Sequence, residues 1–310
     1  MSGNLHVSRR DRAGYAMVAV SYLAMGAIGA LVRMAETPES MLIVLRMAIG
    51  ALAVGALFAR RRTLNELRQP GIAWRALLLG ACSAAGLWTF FVALRLTDVS
   101  IGMFLLFIAP VYVALAAPRL FHQRTDRIVF PALAIALVGM TTILGPGLAG
   151  AGSTLSAAGV ACGIASGIFY AAYMIGSKVL TRSLSSSTLS LSELVCDVVF
   201  LLPLALWQTV GQGRGISGRD LAVAAALGLV CTAFAYTLWF EGVRHVRVEH
   251  VSILGYLEPV SAPLYALVLL RETPATTTLA GGVLIVAAGV LIVRFGERDA
   301  TPVAEPPPAS

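Results

Sequence analysis

The chain reads as long apolar runs divided by short polar segments. Ten stretches of mostly apolar residues stand out, at roughly 14–33, 39–59, 73–94, 99–118, 128–146, 155–177, 188–209, 221–243, 250–270 and 276–293. An α-helix needs about 20 such residues to cross the ~30 Å hydrocarbon core of a bilayer. Runs such as MLIVLRMAIGALAVGALF (41–58) do not alternate, which excludes the alternating segments, about ten residues long, of a membrane β-barrel. The pattern therefore predicts an all-α membrane protein of ten transmembrane helices. The expected division is a polar tail over 1–13, a five-helix unit over 14–146, a Gly-rich linker over 147–154, a second five-helix unit over 155–293, and a Pro-rich, disordered tail over 294–310. The first span is read as a retained anchor, because it exceeds the length of a signal-peptide core.

Composition agrees with this pattern. Hydrophobic residues make up 58% of the 310 and charged residues 13%, where soluble domains carry about 25% charged. The net charge of +7 raises the question of a nucleic-acid partner, but the placement of the charges answers it. Seventeen of the 23 Lys and Arg residues fall in segments that share a side with the N-terminus; five (Arg33, Arg95, Arg214, Arg219, Arg271) fall opposite, and Arg46 lies inside a span. Short cytoplasmic loops are enriched in Lys and Arg. The expectation is thus a multi-pass protein of the cell (inner) membrane with both termini cytoplasmic, and no nucleic-acid partner. Cys82, Cys162, Cys196 and Cys231 all fall within spans without metal-ligand spacing and read as small packing residues.

The two units are related. Shifted by 149 residues, 91–117 aligns with 240–266 without a gap, and eight of the 27 pairs are identical, among them Arg95/Arg244, Pro110/Pro259 and Val111/Val260. Five spans is an odd number, so the second unit enters the membrane from the opposite side. Inverted repeats of this kind are a transporter architecture, with the substrate site near the midplane between them. At LRMAIGALAVGAL (45–57), LTDVSIGMFLLFIAPVYVAL (96–115), LGYLEPVSAPLYALVLLRETPA (254–275) and AGGVLIVAAGVLI (280–292), the chain resembles the drug/metabolite transporter superfamily in its EamA-type branch. The shared pattern is an Arg in span 2, a small-residue stretch leading to Pro-Val in spans 4 and 9, a Glu after span 9 and a Gly-rich last span. That Glu is Glu272; its repeat equivalent is Gln123, a departure in the first half. The resemblance implies export of amino acids, related metabolites or drugs by alternating access.

Ionisable residues inside spans are functional candidates by default. Arg46 lies about 10 Å into span 2 at 1.5 Å per residue; it either faces the central cavity or meets a substrate carboxylate, which guanidinium binds bidentately, or it pairs with a helix-end carbonyl or with Glu36 or Glu39 and orients the helix. Glu258 lies near mid-membrane directly before Pro259. It is a candidate for proton exchange or for contact with a substrate amine, and the alternative is that it satisfies backbone groups freed by the helix break. Its repeat equivalent is Ala109, so any such role is asymmetric. Pro110 and Pro259 mark the expected breaks. Trp88, Phe107, Tyr170 and Tyr256 lie too deep for an interfacial aromatic belt and are candidates for a substrate wall. Glu193 and Asp197 share one face of span 7 and are read as a structural cluster with Lys178 and Arg182 in the cytoplasmic third; Glu241 beside Arg244 reads likewise. Gly159, Gly163 and Gly167 predict close helix packing, within the chain or as a homodimer seam; Gly281, Gly282 and Gly289 raise the same alternatives.

No ATP-binding loop, nucleophile elbow or metal-ligand motif occurs, so neither enzymatic activity, nor a cofactor, nor a bound metal is expected. The function expected is a secondary transporter exporting small metabolites such as amino acids; the alternatives are multidrug or organic-cation efflux, and a channel or membrane scaffold without transport.

Overall fold

A computed structural model describes residues 9–58, 61–123, 126–150, 156–212 and 215–297. Among these there are ten helices long and apolar enough to span a membrane. They are α1 (Arg12–Val32), α2 (Glu39–Phe58), α3 (Ile72–Leu96), α4 (Val99–Leu120), α5 (Val129–Ala149), α6 (Ala157–Leu180), α7 (Ser186–Thr209), α8 (Gly218–His245), α9 (Val248–Leu270) and α10 (Thr276–Phe295). No strand occurs among the described residues.

Helix ends lie within a few residues of those read in the sequence, and three of the differences bear on the expected division. The first helix begins at Arg9, ahead of the expected boundary at 14. The fifth continues through Pro146 to Gly150, into the expected linker, because one proline removes one N–H from the ladder and a helix tolerates that near its end. The last helix ends at Phe295. Residues 151–154 of the expected linker and 298–310 of the Pro-rich tail lie outside the described residues.

The helices pair across the repeat. The most extensive contacts are α3 with α6, α5 with α10, α2 with α7, and α1 with α8. Exchanging the halves maps α3/α6 onto α8/α1 and returns α2/α7 and α5/α10 to themselves. Each of these contacts therefore joins a span of one half to a span of the other, and neither half packs as a separate unit.

Lipid tails are as apolar as leucine, so close approach between membrane helices depends on small residues. A Cβ placed on Gly281 in α10 would lie 2.4 Å from the Gly139 carbonyl oxygen in α5, and one on Gly228 in α8 would lie 2.8 Å from the Arg46 carbonyl oxygen in α2. The predicted glycine stripe on α6 also packs within the chain. A Cβ at Gly163 would meet Leu105, and one at Gly167 would lie 2.7 Å from the Leu105 carbonyl oxygen, both in α4. A homodimer seam along that stripe would have to displace α4. Gly281→Ala is expected to destabilise the protein by about 1–3 kcal/mol, the usual effect of overpacking, seen as a lowered thermal midpoint in detergent. Gly29→Ala, where nothing lies within 4 Å, should leave the midpoint unchanged or raise it; equal effects at the two sites would refute the close-approach account.

Two spans break at repeat-equivalent places. Span α4 divides into Val99–Leu106 and Ala109–Leu120, and α9 into Val248–Leu254 and Leu257–Leu270. Pro110 and Pro259 each sit in the first turn of the second segment, where the missing N–H is one that a helix start leaves unbonded anyway. At the first break Val111 N bonds the Ile108 carbonyl instead of that of Phe107. The freed Phe107 oxygen accepts a hydrogen bond from the Tyr256 hydroxyl at 2.6 Å. Phe107 and Tyr256 are themselves repeat equivalents, and their rings lie 6.0 Å apart. The pseudo-twofold axis thus passes between these two residues, and the breaks of α4 and α9 meet there.

Candidate functional site

The centre of the bundle holds a polar, aromatic cluster drawn from seven spans. Arg46 of α2 is 6% exposed, and its Nε and Nη1 have no hydrogen-bond partner among the described residues. Its charge acts on Asp197 of α7, Glu258 of α9 and Tyr236 of α8. The alternative pairing with Glu36 or Glu39 is not formed. Glu258 stands in the first turn after the α9 break. Among the described residues its carboxylate accepts no hydrogen bond from the broken helix. Its charge reaches Tyr22 and Tyr170.

The acid pair on α7 corrects the sequence reading. Glu193 accepts a hydrogen bond from the Tyr173 hydroxyl at 2.6 Å, and the Ser83 hydroxyl lies 3.3 Å from Glu193 Oε1 and 3.4 Å from Asp197 Oδ2. Both acids are buried. The expected partners are engaged elsewhere. Lys178 Nζ donates to the Val243, Arg244 and Val246 carbonyls at 2.7, 3.1 and 2.8 Å, at the end of α8, where a cation is favoured by the helix dipole. Arg182 lies over the Phe121 ring, 5.5 Å from its centroid. Proximity in sequence suggested one cluster, but Lys178 stands in the last turn of α6 and Glu193 on α7, and they meet different partners. Glu241 does pair with Arg244, at 3.7 Å, and with His245.

Aromatic rings wall this centre. Tyr173 stacks on Trp239 at 5.7 Å and on Tyr170 at 6.4 Å, and Tyr22 meets Trp239 edge-on at 6.5 Å. The Tyr22 hydroxyl and Trp239 Nε1 are buried and form no close hydrogen bond among the described residues, although Tyr22 stands within reach of both Trp239 and Tyr170. With Arg46 they bring N–H and O–H donors into a cluster that also holds Glu258, Asp197 and Glu193. Of the residues singled out from sequence, Arg46, Tyr170 and Glu258 lie in this cluster. Phe107, Pro110, Tyr256 and Pro259 lie at the paired breaks beside it, since Gly255 packs against Tyr22. Trp88 is not brought in: it is 45% exposed. Tyr22, Ser83, Tyr173, Glu193, Asp197, Tyr236 and Trp239 were not selected from sequence as site residues. Two signals in the chain point to some of them: Glu193 and Asp197 share one face of a span, and Tyr173, Tyr236 and Trp239 belong to matched aromatic clusters.

A second buried network ties the end of the bundle that carries both termini. His250, fully buried, places Nε2 2.9 Å from Asp126 Oδ2 and Nδ1 2.6 Å from the Tyr15 hydroxyl. One neutral tautomer satisfies both contacts, with Nε2–H donating to Asp126 and Tyr15 donating to Nδ1. Asp126 also accepts from the Ile128 and Glu297 backbone N–H groups. Burial raises the Asp126 pKa, but these three donors outweigh it and hold the carboxyl below its ordinary value. A depressed carboxyl contributes stability above its unfolded value, near pH 4, and that stability is lost as pH falls through the folded value. Asp126→Asn is therefore expected to lower the thermal midpoint by a few degrees at pH 7, from about 1–2 kcal/mol of charged hydrogen bonding. The gap to the wild type should close below about pH 4; a gap independent of pH would show that the charge plays no part. At the opposite end Arg33 donates to Glu272 at 2.7 Å, and this hydrogen bond holds the Glu272 carboxyl below its ordinary value.

Ten spans in two inverted five-span repeats, enclosing a polar centre at the meeting of broken helices, define a membrane transporter architecture. The family comparison agrees: the EamA-like transporter family model matches residues 12–145 and 157–294, and the chain belongs to that family. It is 30% identical over 283 residues to an uncharacterized transporter of Archaeoglobus fulgidus, covering 91% of this chain and 96% of that one. It is 26% identical to a protein of Streptantibioticus cattleyicolor named a probable terminal-alkyne amino-acid exporter, over 79% of each chain. A solved crystal structure superposes with a TM-score of 0.74 at 19% identity, covering 90% of this chain and 96% of the other, which speaks to the fold.

Proposed function

We propose that this transporter exports small zwitterionic metabolites, amino acids or close relatives, by alternating access from the cell (inner) membrane, with both termini in the cytoplasm. The observation that carries this reading is Arg46: a buried guanidinium with two unpartnered nitrogens, surrounded by carboxyl groups but paired with none. A substrate carboxylate takes the guanidinium, and the substrate amine lies toward Glu258 or the Glu193/Asp197 pair. Stacked Tyr170, Tyr173 and Trp239 receive the apolar part. The broken α4 and α9 are the elements that rearrange between the two access states, and Glu258 is the group through which a proton couples to transport. The name of the Streptantibioticus relative supports an amino-acid-like substrate.

Three carboxyl groups against one arginine also favour a second reading, efflux of organic cations. A proteoliposome flux screen with amino acids, nucleosides and organic cations, with and without a pH gradient, separates the two. Flux of zwitterions above that of cations supports the first reading, and flux of cations alone overturns it.

A further inference from the structure

A groove of about 490 Å³ opens on the flank of the bundle, away from the central cluster. Its walls come from three helices. From α1 come Tyr15 and Ala19, from either side of the α9 break Leu254 and Leu257, and from α10 Val286, Gly289, Val290 and Val293. The open side faces the lipid: Val286, Val290 and Val293 are 45%, 53% and 42% exposed. Tyr15 presents only its ring, because its hydroxyl is bound to His250. At one end stand two arginines, Arg12 of α1 and Arg294 of α10.

Both arginines lie at the end of the bundle where the first helix begins and the last one ends. Neither forms an ion pair among the described residues. Three acids described at this end are engaged: Asp126 by His250, and Glu297 and Glu249 by Arg247. The groove runs from Arg294 to Val286 along α10, about 12 Å at 1.5 Å per residue. That is most of one leaflet of a ~30 Å hydrocarbon core. The surface is thus an apolar slot one leaflet deep with two uncommitted cations at its headgroup end and no acid in its lining.

We propose that this groove holds an anionic phospholipid, with its phosphate on Arg12 and Arg294 and an acyl chain along α10 against Leu254 and Leu257. A purely apolar ligand would leave the arginines without a counter-charge. A free phosphate would leave the apolar slot without an occupant. The placement matches the general preference of basic residues at a helix end for anionic headgroups, about 1 kcal/mol per residue. The site is separate from the central cluster and does not depend on the substrate assigned there.

The test is lipid retention by the full chain. The protein is reconstituted in nanodiscs of mixed phosphatidylglycerol and phosphatidylcholine, extracted into mild detergent, and the co-purifying lipid is counted by native mass spectrometry. The wild type should retain about one phosphatidylglycerol in clear preference to phosphatidylcholine. The paired substitution Arg12→Gln with Arg294→Gln should reduce that preference by about 30-fold, which corresponds to about 2 kcal/mol, at an unchanged thermal midpoint. Val290→Trp, at a lipid-facing position that accepts bulk, should fill the slot and remove retained lipid of both kinds. Equal retention of the two lipids by the wild type would overturn the proposal. So would an unchanged preference in the paired arginine variant, or displacement of phosphatidylglycerol by millimolar inorganic phosphate, which would mark an anion site without the chain.

Discussion

Replacing Arg46 by glutamine will reduce flux of carboxylate-bearing solutes by about 100-fold and leave the protein folded. Removing one partner of a buried, hydrogen-bonded charge pair costs about 2–5 kcal/mol, and 100-fold corresponds to about 2.7 kcal/mol. The fold should survive because α2 meets α8 through the backbone. The Arg46 carbonyl faces Gly228, and a Cβ on Gly50 would contact Thr232; neither contact uses the guanidinium. The comparison that decides the matter is between substrate classes in the same proteoliposomes. Selective loss for amino acids, with organic cations retained, assigns Arg46 to the substrate carboxylate. Equal loss for all classes, with a lowered thermal midpoint, would assign it to structure. Arg46→Lys keeps the charge but not the planar fork, and should recover only part of the flux.

Glu258→Gln should lower flux by about 10- to 100-fold, the equivalent of one charged hydrogen bond of about 1.5–3 kcal/mol, and remove its response to a pH gradient. Glutamine preserves shape and cannot take up or release a proton, so packing against Tyr22 and Gly26 is retained. Gly26 lies against the Glu258 carbonyl, a contact of the backbone alone. Asp197→Asn is the informative comparison, since Asp197 is buried near the same arginine but shares Ser83 with Glu193. Loss of pH response in Asp197→Asn with its retention in Glu258→Gln would move the coupling role to α7. Unaltered pH-dependent flux in both variants would remove it from this cluster.

How much of this was legible in the chain depends on which physical quantity a residue expresses. The spans were legible, because twenty apolar residues in a row answer directly to the thickness of a bilayer. The breaks were legible because Pro110 and Pro259 recur at the repeat offset; a proline alone marks none, since α5 continues through Pro146. Arg46 and Glu258 were legible, because a charge at mid-span is costly whatever its neighbours. Glu193 and Asp197 were visible by the same rule but assigned to Lys178 and Arg182, which are near in sequence; the structure gives Lys178 to the end of α8 and the acids to Tyr173 and Ser83. His250 read as a residue at a span end and proved fully buried between Asp126 and Tyr15, a triad whose members come from three distant parts of the chain.

The repeat shows the same division most clearly. The 149-residue offset says that Phe107 and Tyr256 are equivalent, but equivalence says nothing about distance. Their contact exists because the symmetry axis runs between them, and an axis is a property of how helices pack. By itself the sequence determined hydrophobic length, helix breaks, the inverted repeat and the presence of charges that lipid would not tolerate. Only the tertiary structure decided that the halves interleave, that α1 packs on α8 as α6 packs on α3, and that Tyr22 and Trp239 join one buried cluster with Tyr173 and Glu193. The physical reason is that burial in a bilayer is set residue by residue along a helix, whereas a binding site is set by side-chain directions on helices whose order in space the hydrophobic pattern does not encode.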